Sequence, residues 1–271
     1  MRPRAWTWEC FGRELSPARP ISGPELTGHS ANANVIPSTL WSILGILQSP
    51  SLTTRVLAET ESCLDAATGQ FDITALCNKP LLTSIYLESL RLCVATTTAR
   101  NPINDKVTLG GYALKKKSTI LSISWFGQHD ASFWNAGPGN KHSVNDFWAE
   151  RFLEYPGDPM SGPVRKADAS AAAGDVNERE RTVEDDKQAK VVTAGIQGHF
   201  YPYGGGPRMC PGRFFAKQEM MVAVAVMLKE FEMELVDRVE AKKTAPDMKC
   251  FPVGALPPDR RIPVRIRRRA A

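Results

Sequence analysis

The run RFFAKQEMMVAVAVMLKEF, residues 213–231, is apolar nearly all round its middle. A helix of that kind has no polar face for water, so the rest of the chain must bury it deeply from several sides. It follows YPYGGGPRMCPG, where glycines and prolines interrupt any regular element. The remaining material is also largely helical in pattern. Ala31 to about Gln48 reads as a helix with a break near its start at Pro37. Pro50 opens a second helix through LTTRVLAETESCLDAAT, and a third runs from Pro80 to Cys93. Leu82, Ile85, Tyr86 and Leu90 mark the buried face of the third at helical spacing.

Strands are fewer. Lys106–Leu109 and Ser118–Ser122 read as short strands joined by the turn-forming GGY. The formal charge of +5 is concentrated in RRIPVRIRRR at the end of the chain. Ile262, Val264 and Ile266 alternate there with polar neighbours. That suits a strand with one wet, arginine-bearing face better than a nucleic-acid arm, and no nucleic-acid partner is expected. The fold class expected is mainly α with small β-sheets. Residues 1–27 read as an irregular lead-in without the apolar core of a signal peptide. Residues 160–190 are poor in large apolar side chains and read as a disordered insertion. Val35–Leu47, the longest apolar stretch, falls short of the roughly 20 residues a membrane span needs, and Pro37 and two serines interrupt it.

The six cysteines are Cys10, Cys63, Cys77, Cys93, Cys210 and Cys250. None forms a C-x-x-C pair, which argues against a zinc site, and most read as reduced core thiols. Cys210 differs. It stands just before the helix that starts at residue 213, with three glycines ahead of it and Gly212 behind. A helix N-terminus carries partial positive charge and Arg208 a full one, and both favour an anionic sulfur. Glycines let a flat ligand approach the backbone. A phosphate loop is disfavoured because the Lys-Ser/Thr ending is missing. Loop physics alone leaves a structural cysteine beside a glycine turn as open as a metal-bound thiolate.

The segment resembles the haem-binding signature of the cytochrome P450 family, F-x-x-G-x-R-x-C-x-G. Gly206, Arg208, Cys210 and Gly212 match it, with Tyr203 in place of the phenylalanine. The following Gly-Arg-x-x-Ala and Glu219 also look like the family. The resemblance implies haem b held through the Cys210 thiolate, in what is the standard case of a cysteine-ligated haem. It gives meaning to Glu88 and Arg91, which lie three apart on the third helix and by themselves could be a surface pair. They resemble the family's E-x-x-R motif. Its partner arginine would be Arg151, in FWAERFL, with Ala149 where proline is usual. The three would form a structural network under the haem.

Further roles follow from the resemblance alone. ANANVIPSTLW looks like the distal helix, where most members place an acid followed by threonine. Here Ala33 and Asn34 occupy those positions, as in the subgroup of sterol 7α- and 12α-hydroxylases and prostacyclin synthases. Asn34 is the catalytic candidate on that side, able to exchange hydrogen bonds but not to supply a proton. The other reading is that Asn32 and Asn34 cap the helix start. Arg100 and Arg208 would pair haem propionates. VATTTAR and VGALPP would border the substrate, although the threonines also suit a strand lead-in. The resemblance covers about residues 28–271 and implies the C-terminal half of the fold, with the N-terminal half absent. It implies a monooxygenase acting on a hydrophobic, sterol-like or fatty molecule with an NADPH-cytochrome reductase. The setting would be the endoplasmic reticulum membrane face, with no membrane anchor in this chain. A haem-thiolate isomerase or dehydratase acting on a peroxide, and a non-catalytic relic, are the alternatives.

Overall fold

The computed structural model describes residues 25–105, 107–166 and 180–269, with the backbone alone over residues 25–32. The first helix, α1, spans Glu25–Leu47 and carries Pro37 inside it. It therefore starts earlier than the expected Ala31, and the last residues assigned to the lead-in are already helical. Residues 1–24 lie outside the described residues. Beside Pro37, the hydroxyls of Ser38 and Thr39 donate to the carbonyls of Asn34 and Val35, each at 2.8 Å. Both bonds run back one turn, the i−4 pattern by which a serine or threonine hydroxyl bonds the backbone inside a helix.

Helix α2 (Pro50–Glu61) has Ser49 as its cap, accepting from the Leu52 amide. It stops short of the expected Thr68. The Asp65 carboxylate accepts from the Ala67 and Thr68 amides at 2.8 and 2.9 Å, which offers the backbone a turn instead of another helical step. A short helix that the periodicity did not signal, α3 (Ile73–Cys77), is capped by Asp72. Helix α4 runs over Pro80–Cys93, as its pattern predicts. Its first turn is capped from outside: the Glu59 carboxylate accepts from the Leu81 and Leu82 amides at 3.0 and 2.7 Å.

Strands β1 (Val94–Ala95), β2 (Thr97–Arg100), β3 (Val107–Leu109), β4 (Tyr112–Leu114) and β5 (Ile120–Ile123) precede the short helix α5 (Ser124–Gln128). The GGY turn joins β3 to β4, not to the strand near Ser118–Ser122. Gly110 and Gly111 both have positive φ (58° and 84°), so Leu109 pairs with Tyr112 across a two-residue hairpin. The expected second strand is β5, and it pairs with β2.

Strand β6 (Leu153–Glu154) pairs with β7 (Lys190–Val191), and helix α6 (Val183–Gln188) lies between them in sequence. The expectation of disorder over residues 160–190 fails at both ends. Ser161, Gly162 and Pro163 are buried, and α6 opens on a capping box between Thr182 and Asp185. Residues 167–179 lie outside the described residues.

Helix α7 (Arg213–Glu230) packs Met220, Met221, Val224, Ala225 and Leu228 into the core shared with α1, α2 and α4. The expected burial all round is not found. Val226, in its middle, is 39% exposed, and Phe214 and Phe215 in its first turn are 67% and 61% exposed, because the described neighbours cover one side of the helix only. Strand β8 (Phe231–Leu235), helix α8 (Arg238–Lys242), strand β9 (Gly254–Ala255) and strand β10 (Val264–Arg268) complete the chain. The terminal alternation reads out as expected. Val264 and Ile266 are half-buried in a β8–β10 pair, while Arg265 and Arg267 face Glu234 and Glu232. The architecture is mainly helical with small antiparallel sheets. The cysteines are less uniform than expected: Cys63 and Cys93 are buried, Cys77 partly so, and Cys250 is exposed like Cys210. No described helix is long and apolar enough to cross a membrane.

Candidate functional site

The cysteine loop is a chain of tight turns. Gly204 and Gly206 take positive φ values of 73° and 68°, which side-chain-bearing residues rarely adopt. A single 3-10 turn over Gly206–Arg208 follows, and the Met209 amide donates back to the Gly206 carbonyl. The Cys210 amide donates to the Tyr203 carbonyl at 3.0 Å, which closes the loop. Cys210 is exposed just ahead of α7.

The expected site residues gather around this loop. The Arg100 guanidinium, from the end of β2, donates to the Gly205 carbonyl at 2.5 Å and to Ala99 at 2.8 Å. Arg208 is exposed on the 3-10 turn. Gly212 is the residue before α7, and a Cβ there would sit 3.8 Å from the Cys210 sulfur. The Tyr203 ring packs against the core, and its hydroxyl lies 2.8 Å from that of Tyr86 on α4.

Behind the loop, Glu88, Arg91 and Arg151 meet with no exposure at all. Arg91 grips the Glu88 carboxylate with Nε at 2.7 Å and Nη2 at 2.9 Å. Arg151 Nε donates to the same carboxylate at 3.0 Å, and the Trp148 amide at 3.1 Å. Burial by itself would raise the Glu88 pKa, but the Arg151 and Arg91 guanidiniums outweigh it and hold the carboxyl below its ordinary value. The remaining donors are placed as carefully: Arg91 Nη1 reaches the Gln128 carbonyl at 2.7 Å, and Arg151 Nη1 reaches the Asn135 carbonyl.

Several residues of this network carry no sequence signal. Gln128 and Asn135 are fully buried. The Gln128 amide ties the end of α4 to α5 through the Leu90, Arg91 and Val94 carbonyls. Ser84 Oγ donates to the Ala149 carbonyl at 2.5 Å and accepts from the Phe152 amide, so it aligns the Arg151 segment along α4. A hydroxyl in the second turn of a helix looks like any other serine until its partner is known.

The distal elements converge too. Asn34 lies nine residues inside α1, so it does not cap the helix start. Its Oδ1 accepts from the Ala255 amide at 2.8 Å. Strand β9, which carries Ala255, pairs with β1, so VGALPP and VATTTAR form one wall. Two threonines of that wall are tied to backbone: Thr96 to the Pro202 carbonyl at 2.6 Å and Thr97 to Pro252 at 3.1 Å. A separate cavity of about 1150 Å³ is lined by Trp41, Arg55, Trp125, Trp148 and Lys242 among others, and Cys210 is not among its walls.

The donor set suits a haem. Among the described residues no group of three or more His, Cys, Asp or Glu could hold a metal. Cys210 is a single thiol ahead of a helix, the protein ligand that a haem held through cysteine uses. A Cβ at Gly205 would meet nothing within 4 Å, so a flat macrocycle has room beside the loop. Arg100 and Arg208 lie on or beside the loop, where their positive charge would suit the carboxylates of such a ligand.

The comparisons identify the family to which such a loop belongs. The family model described as cytochrome P450 matches residues 33–261. The chain is 38% identical to cytochrome P450 monooxygenase efuG of Hormonema carpetanum, over 89% of this chain and 42% of that protein. It is 36% identical to cytochrome P450 monooxygenase fsoE of Humicola fuscoatra, over 89% and 40%. It is 28% identical to cholesterol 7-alpha-monooxygenase of Cricetulus griseus, over 84% and 41%. The chain thus spans about two-fifths of the length of these relatives. With the family model covering most of its residues and its fold mainly helical around a cysteine loop, the chain belongs to the cytochrome P450 family.

Proposed function

We propose that the chain forms the haem-thiolate side of a monooxygenase that hydroxylates a hydrophobic, sterol-like substrate with electrons from an NADPH-cytochrome reductase at the endoplasmic reticulum membrane surface. The observation that carries this reading is the exposed Cys210, held ahead of α7 by the hydrogen bond from its amide to the Tyr203 carbonyl. Haem, once bound, supplies the iron at which dioxygen is activated. Cys210 binds that iron, and Gly206 and Gly212 keep side chains out of its approach. Arg100 and Arg208 neutralise the carboxylates at the rim. Glu88, Arg91 and Arg151 hold the loop's underlying segment in place rather than touching the reacting atoms. On α1, Oδ1 of Asn34 is committed to Ala255, which would leave its Nδ2 free to donate a hydrogen bond toward a substrate molecule or dioxygen. The sterol-like substrate rests on the similarity to cholesterol 7-alpha-monooxygenase of Cricetulus griseus. The isomerase and relic readings have no observation in their favour, and the fungal relatives are named monooxygenases.

The test is spectroscopic. Haem-loaded protein reduced under carbon monoxide should show the red-shifted Soret band of a thiolate ligand. Cys210→Ser should lose that band and Cys93→Ser, at a buried thiol, should keep it. A band unchanged in Cys210→Ser would overturn the assignment.

A further inference from the structure

We propose that the paired hydroxyls of Tyr86 and Tyr203 are a positioning device for Cys210, tying the cysteine loop to the helix that carries Glu88 and Arg91. The proposal rests on the reading of Cys210 as the iron ligand. Tyr203 stands where the signature takes phenylalanine, so its hydroxyl is an addition to that pattern. That hydroxyl lies 2.8 Å from the Tyr86 hydroxyl. Tyr86 sits on α4, two residues before Glu88, and is 6% exposed. Burial, followed by the neighbouring phenol, pushes Tyr86 well above its ordinary pKa, and burial raises Tyr203 as well. Both therefore stay neutral, and one can donate to the other.

The connection continues through the backbone. The Tyr203 carbonyl accepts from the Cys210 amide at 3.0 Å. A movement of the Tyr203 side chain is thus passed to the residue that bears the sulfur. Other side-chain ties to the loop come from the β2–β5 region, Thr96 to Pro202, Arg100 to Gly205 and Tyr201 to the Ile123 carbonyl, and from α7, where Arg213 Nη1 donates to the Cys210 carbonyl at 3.1 Å. The Tyr86 bond holds it from the α4 side, where the Glu88 network is anchored. Phenylalanine at position 203 alone would not restore an ordinary member of the family here. It would leave the Tyr86 hydroxyl buried without its partner, whereas removing both hydroxyls leaves nothing unsatisfied.

That asymmetry makes the proposal testable in the full 271-residue chain. Tyr86→Phe and Tyr203→Phe should each lower the urea midpoint. The double variant should unfold at a higher urea concentration than the weaker single variant. Amide exchange across Gly204–Cys210 should be roughly tenfold faster in all three, since the tie is lost in each. In haem-loaded protein, Tyr86→Phe should convert part of the thiolate-type Soret band under carbon monoxide to the unshifted form. Additive midpoints, exchange unchanged in Tyr86→Phe, or an undiminished thiolate band in that variant would each overturn the positioning role. A thiolate band that persists in Cys210→Ser, with the tyrosine coupling intact, would instead overturn the ligand reading on which the proposal rests.

Discussion

Glu88 accepts hydrogen bonds from Arg91, Arg151 and the Trp148 amide in a place that water does not reach. Both guanidiniums depend on it for charge compensation. Glu88→Ala strands two buried cations, and removing one member of a buried ion group is destabilising by about 3–5 kcal/mol. Equilibrium urea unfolding of Glu88→Ala should show a loss of that size. A loss near that of an exposed pair, about 0–1 kcal/mol, would mean that the network is not what holds this region together. The pairing of Glu88 with Arg91 was legible from the i, i+3 spacing. Arg151 was legible only through the family resemblance, because nothing local links it to a glutamate 63 residues earlier. Gln128, Asn135 and Ser84 were not legible at all. Their part in the network is to fill hydrogen-bond positions that exist only once α4, α5 and the Arg151 segment have come together.

Among the elements, α6 was the one most misread from composition. Its segment is charged and poor in large apolar residues, yet its flank is pinned by a second buried ion cluster. Arg55 on α2 makes a two-pronged bond to Asp186, both at 2.7 Å, and a third to Glu150 at 2.5 Å. Tyr155 also donates to Asp186, at 3.1 Å. Burial alone would lower the Arg55 pKa, but Asp186 and Glu150 reverse this and keep the guanidinium firmly protonated. Asp186→Ala should therefore be destabilising by about 3–5 kcal/mol. Lys187→Ala, one residue on, breaks only an exposed pair with Glu184 and should change stability by under about 0.5 kcal/mol. Denaturation of the two variants side by side measures the contrast, and equal effects would show that α6 is not anchored through Asp186. Composition weighs residues one at a time. It does not register a carboxylate that is matched by an arginine 131 residues away.

For the whole molecule, two titrations oppose each other under mildly acid conditions. His129 stacks on Trp125 at 3.7 Å, and burial followed by Arg91 brings its pKa from 6.5 down to about 4. The unfolded chain then binds more protons across that window, so this group makes stability fall as pH drops from about 6.5 toward 4. Burial pushes the Glu59 carboxyl from 4.5 up to about 7, against the pull of the Leu82 and Leu81 amides. Here the folded chain binds more protons, so the contribution is lost as pH rises from about 4.5 to 7. Each slope is limited to about 1.4 kcal/mol per pH unit. His129→Asn should leave a protein that gains stability on acidification from pH 7 to 4.5, and Glu59→Gln one that loses it. Urea midpoints at three pH values in that range test this, and parallel profiles would show that neither group titrates as its surroundings dictate.

What the sequence alone determined is local in origin. Pro80 and the apolar spacing behind it specify α4, the closing alternation specifies β10, and the glycines ahead of Cys210 specify its tight turns. Each follows from the conformational preference or period of a few neighbouring residues. The tertiary structure decided which distant partners those elements meet. It left one side of α7 uncovered, although the helix reads as apolar all round. It turned Asn34 from a possible cap into an acceptor for Ala255, 221 residues away, and set the Tyr203 hydroxyl against Tyr86. Such contacts depend on how rigid elements are placed relative to one another. That placement comes from the packing of whole faces and the pairing of buried polar groups, and no short stretch of the chain carries it.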